Sequence, residues 1–462
     1  MLRTISLIIL GFFIAMEIQT LVLLVLSSRA LVRDARTAKY GRVEDMLRSP
    51  STPPVSLIVP AYNEDAGIVE SVRSRTILSY PRYELIVVND GSTDDTLERL
   101  IEAFKLRRVD LPIRPDLAHA PIRAIYKSTL AIPLTVVDKE NGGKGDALNA
   151  GINASTFPYV VVTDADMIFE EDSLIRVMRP FVQDRGHTVA VGGNIRPLNG
   201  CQVSMGRVTE SSLPKSLLEL TQVVEYQRSF LGSRPGWSFM NGLLLVSGAF
   251  GAFNKQAVIE AHGFPQHHLG EDLDLTIRLH RTQREAGRPY RIVYAPNAVV
   301  WTEVPSTAPV LRKQRIRWHR GLRQVIQDHG KMLFNPRYGF IGMVAWPAFF
   351  LFEFVAPILE ALGWIIMPLT LVRSEIEPAL VIGLLLVTLL IAVLNSLASL
   401  YLDERYGHFN SPRDALRLLR TAILENFGPR QRTVWWRFRS LFWRQGKLEW
   451  GDMERTGVGN IG

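Results

Sequence analysis

Tyr159-Val160-Val161-Val162-Thr163-Asp164-Ala165-Asp166 passes from an unbroken apolar run to two carboxylates spaced two apart. The β-branched run reads as a strand buried on both faces, as in parallel sheets covered by helices. Asp164 and Asp166 stand at its carboxyl end and point to the same side, because strand side chains alternate. Two hard oxygen ligands converging there suit Mg2+ or Mn2+, with a substrate phosphate completing the shell. A pair of solvated turn aspartates is the plainer alternative, and the abrupt change from apolar to acidic argues against it.

The same pattern recurs on the amino-terminal side. Residues 55–60 and 83–88 read as buried strands that end in polar turns, Pro60-Ala61-Tyr62-Asn63-Glu64 and Asn89-Asp90-Gly91-Ser92-Thr93-Asp94. Tyr62 can stack on a base, and Asp90 can accept from a uracil or ribose donor. Turn and cap chemistry, with Ser92 or Thr93 capping the next helix, uses the same residues. That helix is expected over 93–104, with Asp94 and Asp95 in its first turn and Leu97, Leu100, Ile101 and Phe104 on one face. Residues 135–137 add a strand and 145–154 a helix, while 107–133, rich in proline and basic residues, reads as an inserted loop. The alternation predicts an α/β domain with a mostly parallel sheet and ligands at the carboxyl ends of its strands.

Asn141-Gly142-Gly143-Lys144-Gly145 places a lysine among glycines before a helix. It is not the Walker spacing. Lys144 can still approach a diphosphate with help from backbone N–H groups, unless the run is only a tight turn. Gly270-Glu271-Asp272-Leu273-Asp274 opens a helix with three carboxylates, which the helix dipole alone would favour. An attacking hydroxyl needs a base, and a carboxylate beside others can have its pKa raised for that work, so Asp272 takes the role. His267 and His268 with Asp272 and His280 form a weaker metal set, since adjacent histidines point apart. Residues 247–253, small and aromatic, make either a sugar platform or tight packing. Gln314, Arg317 and Trp318 share a helical face. Arg317 can grip a diphosphate and Trp318 can stack on a pyranose, whereas an amphipathic membrane-surface helix is the alternative.

Apolar runs at 5–26, 340–371 and 379–400 are each long enough to cross a bilayer. The first is longer than a usual signal core and is read as retained. Glu17 within it should face another helix or a polar path. Pro347 and Pro357 suggest a tilted or kinked second crossing, which also carries Glu353 and Glu360. Arg29, Arg33, Arg36 and Lys39 follow the first run and the tail is rich in arginine, which puts the middle region and tail in the cytosol. Residues 416–443 mix arginine, leucine and tryptophan as interfacial helices do, although a soluble tail helix is an alternative. The expected division is a span at 1–28, a linker at 29–53, a cytosolic domain at 54–335, two spans at 336–402 and a tail at 403–462. The net charge of +8 comes without a nucleic-acid reader motif. Cys201 is the single cysteine, which excludes an internal disulfide framework.

Taken in order, the paired aspartates, the Glu271-Asp272 helix start and Gln314-x-x-Arg317-Trp318 resemble the family 2 inverting glycosyltransferases. Within them the resemblance is to the membrane-bound processive branch of cellulose, hyaluronan and poly-N-acetylglucosamine synthases, and it covers roughly residues 54–325. It implies a GT-A-type domain with about three transmembrane helices and interfacial amphipathic helices. It implies that Tyr62, Glu64, Asp90 and Lys144 hold a UDP moiety, and that Asp164 and Asp166 hold the sugar diphosphate and metal. Asp272 would be the base, and Glu271, Gln314, Arg317 and Trp318 would serve diphosphate and acceptor. Direct displacement would convert an α-linked UDP-N-acetylglucosamine or UDP-glucose donor into a β-linked polymer extruded across the plasma (inner) membrane. Glu271-Asp272-Leu273-Asp274-Leu275-Thr276 is nearest the poly-N-acetylglucosamine type. The implied partners are a UDP-sugar, a growing glycan or lipid acceptor, membrane lipids and accessory secretion subunits, with no nucleic acid. Single transfer to a lipid carrier and an inactive receptor or scaffold subunit are the other readings.

Overall fold

Valine- and isoleucine-rich runs form the strands of a ten-stranded sheet in the computed structural model, which describes residues 2–37, 43–184, 186–204, 206–266, 268–374, 376–404 and 411–442. Lys39 and His267, named above, lie outside the described residues, as do residue 443 and the end of the tail. The chain divides into a sheet unit, Arg33–Ser212 with Leu243–Glu303, and a helical unit, Met1–Val32 with Leu213–Gly242 and Val304–Gly446. Residues 213–242 and 304–335 therefore group by contact with the helices rather than with the sheet.

The strands of the sheet unit are β1 Val55–Ala61, β2 Tyr83–Asn89, β3 Leu106–Val109, β4 Ile122–Ser128, β5 Leu134–Lys139, β6 Tyr159–Thr163, β7 Ile168–Phe169, β8 Thr188–Pro197, β9 Gln202–Ser204, β10 Arg207–Glu210, β11 Phe250–Asn254 and β12 Arg291–Thr302. The main sheet runs β3-β4-β5-β2-β1-β6-β11-β8-β12-β7. Its centre, β5-β2-β1-β6, is parallel as the sequence predicts. β11 joins β6 antiparallel and turns the sheet toward the parallel pair β8-β12. β1 is buried along its whole length, so apolar residues fill both of its faces. Helix Lys144–Ala154 covers β1 and β2 so closely that a side chain at Gly151 would meet Ile58 Cγ2 at 2.4 Å.

Two expectations fail here. Residues 107–133 are no plain loop, because β3 and β4 pair antiparallel there and extend the sheet beyond β5. β4 buries only Ile125, so its apolar signal is one residue deep and its proline-rich surroundings mask it. Asn153 anchors the rest, donating to the Leu117 carbonyl at 2.7 Å and accepting from the Leu117 N–H at 3.0 Å. The helix expected from residue 93 begins instead at Thr96, because Asp94 Oδ1 accepts from the Thr96 hydroxyl at 2.6 Å in the preceding turn.

Among the described residues, three helices are long and apolar enough to cross a membrane: Leu2–Arg36, Ile341–Val372 and Pro378–Asp403. The first runs well past residue 28 into the expected linker. The second contains wide π-turns at Ile341–Ala345 and Phe350–Val355, each ending two residues before a proline, Pro347 and Pro357, which accounts for its irregularity. Glu17 is buried, as a carboxylate in an apolar helix requires. The tail helix Pro429–Phe442 meets the acidic residues of the second span, with Arg430 3.6 Å from Glu360 and Arg437 3.4 Å from Glu353. Helix Pro412–Leu424 buries Leu418 and Ala422 against Leu220, Val223 and Val224. Trp435 and Phe442 remain exposed.

Gly145 is the tightest glycine near the sheet's carboxyl edge, since an added Cβ would lie 2.2 Å from the Pro265 carbonyl oxygen. Gly145→Ala should destabilise the protein by roughly 1–3 kcal/mol, the usual cost of overpacking. Gly67→Ala, where nothing lies within 4 Å, should leave the melting temperature in detergent unchanged.

Candidate active site

The four central strands are parallel, so the turns after Ala61, Asn89, Lys139 and Thr163 all emerge at one edge of the sheet. That edge is where open α/β sheets bind ligands. The turns after β1 and β2 are joined by backbone-to-side-chain hydrogen bonds. The Asn63 N–H donates to Ser92 Oγ at 3.0 Å, the Thr93 N–H to Asn63 Oδ1 at 2.8 Å, and the Glu64 N–H to Thr96 Oγ1 at 2.9 Å. Asn63 takes φ 54°, a left-handed conformation that asparagine tolerates, and this turns the chain between Tyr62 and Glu64. Ser92 and Thr93 thus join two loops rather than cap a helix.

Asp90 has a role that its position in sequence did not reveal. Its carboxylate is fully buried and receives Lys139 Nζ at 2.5 Å, the Gly142 N–H at 3.1 Å and the Gly143 N–H at 2.8 Å. Burial raises its pKa, opposed by Lys139 and the two N–H groups. Asp90 therefore shapes the glycine loop from beneath, and its oxygens already hold protein donors. Lys139 also lies 2.5 Å from Asp146, whose carboxylate accepts from the Ala120 N–H at 2.9 Å.

The loop so held delivers Lys144 to the start of helix Lys144–Ala154. Its ammonium lies 2.6 Å from Asp164 and 3.1 Å from Glu271, linking the end of β6 to the start of helix Glu271–Glu285. Burial alone would lower the Lys144 pKa, but Asp164 and Glu271, with Asp272, raise it above its ordinary value. Burial raises the Glu271 carboxyl, and the neighbouring Asp272 charge adds to this against the pull of Lys144. Asp272 is oriented by backbone: the Gly248 N–H donates to Oδ2 at 3.1 Å and the Leu273 N–H to Oδ1 at 2.8 Å. Gly248 has no side chain where one would stand 3.2 Å from Lys144 Nζ and 3.5 Å from Asp272 Cβ. Asp164 and Asp166 are partly exposed while Ala165 between them is buried. Thr302 Oγ1 reaches Asp166 Oδ2 at 3.4 Å. An all-oxygen donor set partly open to solvent fits Mg2+ or Mn2+.

Other candidates resolve differently. Phe250 and Phe253 are buried in β11, so the 247–253 stretch is core packing and contributes only the Gly248 backbone to the site. His280 is buried between the Tyr290 hydroxyl at 2.7 Å and the Leu243 carbonyl at 2.9 Å, and burial lowers its pKa to about 4. It is a core histidine. Asp274, third of the helix-start carboxylates, is committed to Arg278 at 2.6 Å. Arg75 was missed by motif reasoning. It is fully buried, and its Nη2 donates to the Asp164 carbonyl at 2.6 Å. Burial pulls its pKa down to about 9, opposed by the Asp166 and Asp164 charges. No sequence pattern announces it, since it sits alone on an ordinary helix.

The helical unit carries Gln314, Arg317 and Trp318 on helix Ala308–His329. Gln314 is buried, and its Oε1 has no hydrogen-bond partner among the described residues. Trp318 is 42% exposed, with the Arg315 guanidinium 4.5 Å from its ring centroid. Arg315 is fixed in turn by a two-pronged pair with Glu225 at 2.7 and 2.8 Å. A stacking surface is thus held open by a charged brace.

Comparison with known proteins agrees with this geometry. The chain is 28% identical over 272 residues to a poly-beta-1,6-N-acetyl-D-glucosamine synthase of Staphylococcus aureus, covering 59% of this chain and 55% of the relative. A Staphylococcus epidermidis protein of the same name is 27% identical over 275 residues, with the same coverage. The chain spans about half the length of these curated relatives. Among solved structures, the mannosyltransferase PcManGT from Pyrobaculum calidifontis, in complex with GDP-Man and Mn2+, superposes with a TM-score of 0.50 at 19% identity. That alignment covers 93% of this chain and 99% of the mannosyltransferase, and it supports a GT-A fold for the sheet. The family model "Glycosyl transferase family 2" matches residues 56–239, and "Glycosyl transferase family group 2" matches residues 159–395, more than half of the chain. With the paired aspartates and the oriented Asp272 inside these matches, the protein belongs to glycosyl transferase family group 2.

Proposed function

We propose that this protein is a membrane-bound inverting glycosyltransferase that elongates a β-linked exopolysaccharide from a UDP-sugar and passes it across the plasma membrane. The observation that carries the reading is the cluster of Lys144, Asp164, Glu271 and Asp272 at the carboxyl edge of the sheet, in a chain whose described residues include three helices long and apolar enough to cross a bilayer. The staphylococcal relatives favour N-acetylglucosamine as the sugar, with glucose second. The acceptor is the growing glycan. Accessory secretion subunits are partners to be sought, and the sheet unit and tail are assigned to the cytosol.

In the proposed reaction, Asp272 accepts the proton of the acceptor hydroxyl while that oxygen attacks the anomeric carbon. The bond from that carbon to the diphosphate oxygen breaks on the opposite face, so UDP leaves and an α donor gives a β product. Mg2+ or Mn2+ held by Asp164 and Asp166 would neutralise charge on the departing diphosphate. Lys144 adds a positive charge for the same oxygens, and Tyr62 and Glu64 contact the nucleoside. Asp90 contributes through the loop it shapes. By the family resemblance, Arg317 is assigned to the diphosphate and Trp318 to the acceptor sugar, and Gln314 Oε1, without a hydrogen-bond partner among the described residues, is an acceptor for a ligand hydroxyl. Single transfer to a lipid carrier is the competing reading, because the same chemistry serves both.

Membranes containing the protein, given a panel of UDP-N-acetylglucosamine, UDP-glucose and GDP-mannose, should build a ladder of long glycans from one UDP-sugar. A single lipid-linked product would reject polymerisation, and use of GDP-mannose alone would reject the uridine donor. Asp272→Asn should lower kcat roughly 100-fold or more, as expected for loss of a general base, with the KM for donor little changed. Nucleoside diphosphate release at the wild-type rate would remove the base from Asp272. A reporter fused after residue 442 should be active only in a cytosolic form, and activity of a periplasmic form would reverse the topology.

A further inference from the structure

Helix Ile68–Thr76 lies outside every motif, yet one of its faces grips the turn that carries the paired aspartates. Ser71 and Arg75 stand one helical turn apart and are 2% and 0% exposed. The Ser71 hydroxyl donates to the Ala165 carbonyl. Arg75 Nη2 donates to the Asp164 carbonyl at 2.6 Å and to Thr163 Oγ1 at 3.3 Å, while Nη1 donates to the Ser71 carbonyl at 2.6 Å. The guanidinium carbon lies 5.1 Å from the centroid of the Phe169 ring, in the strand that follows the turn. Three consecutive residues, Thr163, Asp164 and Ala165, are thereby held from one side.

A buried guanidinium is costly to desolvate, and a neutral side chain could supply a single hydrogen bond at less cost. A planar fork can span the Asp164 carbonyl and the Thr163 hydroxyl together. Its charge also faces a turn bearing two carboxylates, whose mutual repulsion it offsets. Lys144 pairs with the Asp164 carboxylate from the open side, so the turn lies between two cations, one at the ligand face and one beneath.

We propose that Arg75, with Ser71, is a positioning residue that fixes the Asp164-Ala165-Asp166 turn and neutralises it from beneath, so that both carboxylates are pre-set to receive a divalent cation and a diphosphate. This rests on the reading of Asp164 and Asp166 as the cation and diphosphate site. Neither residue touches substrate. Their effect passes through the backbone of the turn.

The test is Mn2+ binding to the full-length protein in detergent with UDP present, followed by electron paramagnetic resonance. Arg75→Met should weaken Mn2+ binding about tenfold or more, the usual effect of losing a group that orients metal ligands. Arg75→Lys, which keeps the charge and loses the fork, should restore part of the affinity. Ser71→Ala should weaken binding less than Arg75→Met. Wild-type affinity in Arg75→Met, with Asp166→Asn impaired, overturns the inference and leaves the site reading intact. Wild-type affinity in Asp166→Asn overturns the site reading itself, and this inference with it. If Arg75→Met does not fold, Arg75→Lys decides, and unaltered Mn2+ affinity in that variant rejects a role for the fork.

Discussion

Lys139 has no exposed side-chain surface, and its ammonium lies 2.5 Å from both Asp90 and Asp146. Removing one partner from such a buried cluster costs roughly 3–5 kcal/mol, because the other charges are left without compensation. Through Asp90 the cluster holds the backbone N–H groups of Gly142 and Gly143, and through Asp146 it holds the chain at Ala120. The ends of β2 and β5, the glycine loop and the start of helix Lys144–Ala154 are therefore fixed together. The position of Lys144 follows from that arrangement, and the candidate active site follows from Lys144.

Lys144 is a mobile point charge by chemistry and a fixed one by context. Its ties to Asp164 and Glu271 join two segments more than a hundred residues apart in the chain. A cation between carboxylates keeps a dense acidic cluster stable in the absence of ligand. It also leaves the cluster suited to exchange those contacts for diphosphate oxygens and a divalent ion. Asp272 stands next to this exchange, turned by the Gly248 and Leu273 backbone N–H groups. The geometry thus separates work among four carboxylates that look alike in sequence: Asp164 pairs with the lysine, Glu271 shares it, Asp272 is oriented by backbone and Asp274 is given to Arg278.

Much of the sheet unit was legible because its signals are local. The runs that became β1, β2 and β6 each carry three or more consecutive apolar residues rich in valine and isoleucine, and their short length favours strands over helices. The polar turns at their ends were legible for the same reason. β3 and β4 were not, since an edge pair buries little and its composition resembles a loop. The start of helix Thr96–Phe104 was misplaced because Asp94 bonds locally to Thr96, a competition that composition does not express. The aromatic pair Phe250 and Phe253 could not be assigned without knowing that both faces of β11 are covered.

Periodicity and turn chemistry act over a few residues, so the sequence by itself determined the parallel centre of the sheet, the edge at which the candidate site stands, the apolar spans and the residue types able to do glycosyl transfer. Which groups meet depends on strand order and loop closure over long separations, and only the tertiary structure decided that. It placed Asp90 under the glycine loop with its oxygens occupied, brought Lys144 to Asp164 and Glu271, and set Arg75 beneath the paired aspartates. Burial decides each of these roles, because an ion taken out of water must find its partner in the fold rather than in its sequence neighbours.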